Sequence, residues 1–113
     1  MLVAIVISAS AWNVAAAAEI KAPAGQQVIA NAGDHVTAGR DTRVLANKGA
    51  IVDAYDGSFV EADIGSTVTA YKGARVDAYD GARVIAKAGS HIVAAPGAIV
   101  TAEPGAKVET EID

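Results

Sequence analysis

Residues 24–111 form an uninterrupted octad repeat: AGQQVIAN, AGDHVTAG, RDTRVLAN, KGAIVDAY, DGSFVEAD, IGSTVTAY, KGARVDAY, DGARVIAK, AGSHIVAA, PGAIVTAE and PGAKVETE. Ten of these eleven units carry Gly in the second column, ten carry Val in the fifth and ten carry Ala in the seventh. Asp41, Ile92 and Thr110 are the three exceptions. So short a period excludes most repeat architectures. Helical repeats need more than about 30 residues per unit, and a coiled coil needs apolar positions about every 3.5 residues. A strand alternates its faces with period two. Columns three, five and seven then face one way, with Ala50-Val52-Ala54 or Ser58-Val60-Ala62, and columns four and six face the other, with Arg75 and Asp77 or Phe59 and Glu61. The glycine column marks a corner, where positive φ or close backbone approach is tolerated without a side chain. Each octad is therefore one short strand and one corner. Consecutive octads wind into an all-β, single-chain β-solenoid (β-helix) in which stacked coils bury together a face that no unit buries alone.

The number of octads per coil is open to two readings. Outside the consensus columns, units three apart share more residues than units two apart, as KGAIVDAY and KGARVDAY do, which favours a three-sided coil of three octads. Composition points the other way. Hydrophobic residues are 52% of the chain, but much of that is alanine, and aromatics are only 4%. Val, Ala and Ser are too small to fill a triangular interior, and voids are costly. A flattened coil of two strands and two octads suits that core better.

The first eighteen residues lie outside this pattern. They carry no charge and hold a short apolar run, Leu2 to Ile7, followed by an Ala-rich stretch ending at Ala18. That arrangement fits a secretory signal peptide cut after Ala18, although no Lys or Arg precedes the run. The other reading is a retained N-terminal apolar helix, since Ala15 to Ala18 favour helix and Trp12 offers an anchor. Residues 19–23 read as a linker, 24–111 as the solenoid and 112–113 as its C-terminal end. The apolar run is too short to span a bilayer, so contact with a membrane is expected only through residues 1–18, if they are kept.

The octads carry a resemblance. Ala54-Tyr55-Asp56-Gly57 and Ala78-Tyr79-Asp80-Gly81 match the arrays of Ala-Tyr-Asp-Gly octads found in bacterial and phage octapeptide-repeat proteins, and Ala70-Tyr71-Lys72-Gly73 nearly does. The repeat more loosely resembles the trimeric β-helix of phage tail needles and type VI secretion spikes. In those proteins Gly follows Val by two positions, whereas here Ala takes that place. The resemblance covers residues 24–111 and implies a β-solenoid of structural character, with no activity to carry over.

Residues able to do chemistry are few. Nine Lys and Arg stand against thirteen Asp and Glu, a net charge of −4, so no basic excess exists to neutralise nucleic-acid phosphates. There is no cysteine, which excludes disulfides, thiolate metal sites and cysteine nucleophiles. His35 and His91 share column four, seven octads apart along one outward column, and read as solvated surface residues rather than metal ligands. Asp53, Asp56, Asp77 and Asp80 recur too irregularly for a calcium ladder and read as charges that discourage sheet association. Ser58, Ser66 and Ser90 fall in the inward column, a poor place for a nucleophile. No catalytic residue, metal site or cofactor is expected, and the chain reads as a non-enzyme.

Two sets of residues are candidates for binding. Tyr55, Tyr71 and Tyr79 share column eight beside the corner; in a two-sided coil Tyr55 and Tyr71 stack on one edge, and in a three-sided coil Tyr55 and Tyr79 do. Such rings offer apolar area with a polar tip to a sugar or a protein. Thr37, Thr69 and Thr101 share column six; in a two-sided coil their face also carries Asp53 and Ile85, and it is the best outward surface for a monomeric ice- or surface-binding module. The main expectation is different. An open-ended solenoid exposes unpaired backbone at both ends, and ends of matching geometry stack head to tail without closing. The sequence therefore predicts a secreted or cell-surface structural protein that self-associates into a fibre or layer.

Overall fold

The computed structural model describes residues 4–6 and 19–110, the former as backbone. These residues make thirteen strands and no helix: β1 (Ala4–Val6), β2 (Glu19–Lys21), β3 (Gln27–Ala30), β4 (His35–Ala38), β5 (Arg43–Ala46), β6 (Ile51–Ala54) and β7 (Phe59–Ala62) come first. They are followed by β8 (Thr67–Ala70), β9 (Arg75–Ala78), β10 (Arg83–Ala86), β11 (His91–Ala94), β12 (Ile99–Ala102) and β13 (Lys107–Thr110). Odd-numbered strands form one parallel sheet in the order β1-β3-β5-β7-β9-β11-β13, and even-numbered strands form the other, β2 to β12. From β2 onward, pairing steps by two octads: Val28 lies opposite Val44, Val52 opposite Val68, Val76 opposite Ile92. The protein is a two-sided β-solenoid.

The local reason is a turn repeated at every corner. In Tyr55-Asp56-Gly57-Ser58 the Ser58 N–H donates to the Tyr55 carbonyl at 3.0 Å, and Gly57 sits at φ 83°. A closed four-residue turn with positive φ at its third residue has the signature of type II. Pro96 and Pro104 occupy the second turn position, where the fixed proline φ is favourable. The corner also continues the ladder, since the Gly57 N–H donates to the Gly73 carbonyl at 3.2 Å. Coils consequently approach so closely that a Cβ on Gly57 would lie 3.0 Å from Arg40 Cα.

Column five forms a buried row through the molecule, from Val28 through Val84 to Ile92, flanked by the alanines of column seven. Thr42, Ser58, Ser66 and Ser90 are buried in column three. Their hydroxyls each donate at 2.6 Å to the carbonyl three positions back, which satisfies them inside the turn. Asp34 is the one buried carboxylate among the described residues; its Oδ2 accepts the Asn31 N–H at 2.9 Å.

Several expectations change. The three-sided coil is excluded, and the likeness of KGAIVDAY to KGARVDAY marks no contact, because β6 and β9 belong to different sheets. His35 and His91 do not share an outward column: an odd number of octads separates them, so they project from opposite sheets. Residues 19–23 are not a linker. Glu19–Lys21 is the first strand of the even sheet, with Ile20 in the core position opposite Val36 and only 6% exposed. The absence of a corner glycine before it hides that octad from a column count. Within the N-terminal segment, Ala4–Val6 is strand rather than helix, paired with Gln27–Ile29. The remainder of 1–18, including the Ala18 cleavage point and the Trp12 anchor, lies outside the described residues, as does the 112–113 end. Among the described residues no helix is long and apolar enough to cross a membrane.

Candidate functional site

The two-octad step converts sequence columns into surface columns. On the edge after β4, β6, β8, β10 and β12 the column-eight residues are Gly39, Tyr55, Tyr71, Lys87 and Glu103. Tyr55 and Tyr71 stack with ring centroids 4.7 Å apart and planes within 4°. Loss of hydration in that stack, then the neighbouring Tyr71 and Asp53, hold the Tyr55 phenol above its ordinary pKa. Lys87 and Glu103 pair at 3.0 Å, and this hydrogen bond raises the lysine pKa. Tyr79 is not part of this edge. It lies on the opposite one, after the odd strands, with its hydroxyl 3.4 Å from Glu61 Oε2. There it borders a shallow hollow of about 200 Å³ lined by Leu45, Asn47, Glu61 and Asp63.

The threonines share the even sheet but do not form a row. Thr37 is followed by Asp53, then Thr69, Ile85 and Thr101. Asp53 is engaged in turn: its Oδ2 lies 2.9 Å from His35 Nε2, while His35 Nδ1 lies 3.1 Å from Glu19 Oε2. The hydrogen bond to Asp53 is the main cause that raises the His35 pKa above 6.5; the charges of Asp53 and Glu19 add to it and partial burial opposes it. This face presents alternating hydroxyl, charge and aliphatic surface.

The odd sheet holds a cluster that the column count does not reveal. Arg43 lies over the Phe59 ring, 5.2 Å from its centroid, and Arg75 covers it from the next coil at 5.9 Å. Arg43 also reaches Glu61 at 3.1 Å. His35–Asp53, Arg43–Glu61 and His91–Glu109 follow one rule: a column-four cation or imidazole reaches diagonally across to a column-six carboxylate on the next coil. The His91 hydrogen bond is the main cause that lowers the Glu109 pKa. Reading the sequence in steps of two octads finds both the Arg–Phe–Arg stack and the diagonal pairs, but that step is available only once the coil is known to be two-sided.

Chemically, this surface is a set of small columns joined by local ion pairs and ring contacts. Among the described residues no three His, Asp or Glu side chains converge as a metal site, and the two carboxylates at His35 sit on opposite ring nitrogens. At the C-terminal end a core column is left uncovered. Val108 is 37% exposed, whereas every column-five residue from Val28 to Ile92 is 0% exposed. No family model, curated protein or solved structure matches the chain.

Proposed function

We propose that this chain is a structural, non-enzymatic repeat protein that assembles end to end into a fibre or surface layer. The reading rests on the last coil: β12 and β13 expose positions that every inner coil buries, Val108 above all. A sheet edge with exposed apolar positions and unpaired backbone is a template for another strand. A heterologous contact of this kind propagates rather than closes. Negative-stain microscopy of the full chain across a dilution series tests it. Filaments that lengthen with concentration support the proposal; discrete single particles at every concentration sink it.

A second reading is favoured by the Tyr55–Tyr71 stack, whose flat rings suit a monomeric module that binds a carbohydrate or a protein. The double variant Tyr55→Ala, Tyr71→Ala separates the two. It leaves end-to-end growth intact in the first case and abolishes ligand binding in the second.

A further inference from the structure

The sheet edges at the two ends of the solenoid have matching geometry, and β1 occupies part of one of them. Among the described residues, β12 and β13 are the outermost strands of the even and odd sheets at the C-terminal end; at the N-terminal end β2 is outermost in the even sheet and β1 covers β3 in the odd sheet. Every strand pair from β2 onward obeys the two-octad step. β1 does not. Ala4 lies opposite Gln27, a step nearly one octad longer than the rest.

We infer that the end-to-end contact is made by β12 and β13 of one copy on β2 and β3 of a second copy, and that β1 is a stand-in which must leave β3 first. This deepens the assembly reading above and rests on it. Continuing the two-octad step across the junction brings Ile99 opposite Glu19, Val100 opposite Ile20, Thr101 opposite Lys21 and Ala102 opposite Ala22 on the even sheet. On the odd sheet it brings Lys107, Val108, Glu109 and Thr110 opposite Gln27, Val28, Ile29 and Ala30. The core columns meet Val on Ile, Val on Val, Ala on Ala and Thr110 on Ala30, and no pair sets like charges opposite each other. The Gly105 N–H, next in the row that runs Gly73, Gly89, Gly105, continues onto the Gly25 carbonyl of the second copy. A hollow of about 360 Å³ bordered by Glu19, Ile20, Lys21 and Thr37 lies beside β2, where β12 of the neighbouring copy would enter. Each sheet gains six strands per copy from β2 to β13, which gives an axial repeat of about 29 Å at about 4.8 Å per strand.

The chain has no cysteine, so introduced pairs report without background. Gln27→Cys with Lys107→Cys brings the two thiols to cross-strand distance only between copies, within the Cα separation a disulfide accepts. Oxidation is expected to give a ladder of covalent multimers, several-fold more abundant when Ile5→Pro is added to weaken β1. Ala4→Cys with Gln27→Cys is the reciprocal variant. Its disulfide within one chain fastens β1 to β3, and assembly is expected to be lost on oxidation and regained on reduction of the same sample, which separates a block from misfolding. If filaments form but residues 27 and 107 never cross-link, the assembly reading stands and this register is overturned. Equal cross-linking with and without Ile5→Pro, together with assembly indifferent to the Ala4–Gln27 disulfide, overturns the role of β1. If no variant assembles at any concentration, both fall.

Discussion

Asp41 and Gly57 hold the same corner position in adjacent coils of one edge, both in the left-handed region, at φ 60° and 83°. Asp tolerates that region better than most residues because its short side chain bonds locally. Asp41→Gly is therefore expected to change stability by no more than about 0.5 kcal/mol. Gly57→Ala meets both an unfavourable φ and Arg40 Cα, a backbone atom that cannot swing aside. A loss of about 2 kcal/mol is expected, read by urea unfolding. His35 has a different dependence. Its pKa is raised in the folded protein, chiefly by the hydrogen bond to Asp53, so its contribution to stability is complete below its unfolded value of about 6.5 and fades as pH rises through the folded value. Asp53→Asn is expected to move the His35 NMR titration back toward the ordinary value. It should cost a few tenths of a kcal/mol at about pH 5.5 and less at about pH 9, small because the pair is partly exposed.

The strands differ from one another mainly in their distance from an end. Val68 in β8 is fully buried with a coil on each side, whereas Val108 in β13 has a neighbouring coil on one side only. Val68→Ala is expected to cost about 2 kcal/mol and Val108→Ala less than about 0.5 kcal/mol. Native-state hydrogen exchange should likewise show protection falling from β8 toward β13. Serines inside the corners are expected to be nearly silent. Ser66→Ala removes a hydroxyl whose acceptor, the Asp63 carbonyl, keeps the Ser66 N–H, and other coils place Ala50, Ala74 and Ala82 at the same point. Elements of this kind were legible in the sequence because Gly, Val and Ala each have one structural duty in the octad. β2 was not legible as a strand, since Ile20 and Ala22 keep the core columns but Ala17 stands where the corner glycine belongs. The Phe59 stack and the His35 cluster escaped for another reason. Lateral neighbours depend on the coil length, and column identities alone do not reveal it.

For the molecule as a whole, small side chains decide the architecture. Val and Ala suffice between two facing sheets, and that packing argument outweighed the likeness of units three apart. Two octads per coil means that an octad's face depends only on whether its number is odd or even. Deleting residues 56–63 should therefore leave a folded solenoid, because every core column survives, while transferring all later strands to the other sheet. Asp53→Cys with Asp77→Cys reports the transfer. These positions lie on different sheets in the parent, on β6 and β9, but become direct neighbours one coil apart after the deletion. A disulfide is expected only in the shortened chain, and one formed equally in the parent would contradict the two-sided winding.

That same alternation sorts the insertion or loss of whole octads into two kinds. Changes by pairs of octads lengthen or shorten the rod and keep each decoration on its side. Changes by a single octad keep the rod and exchange what lies above with what lies below. A single octad added or removed thus exchanges the two decorated faces along the whole of the rod beyond it.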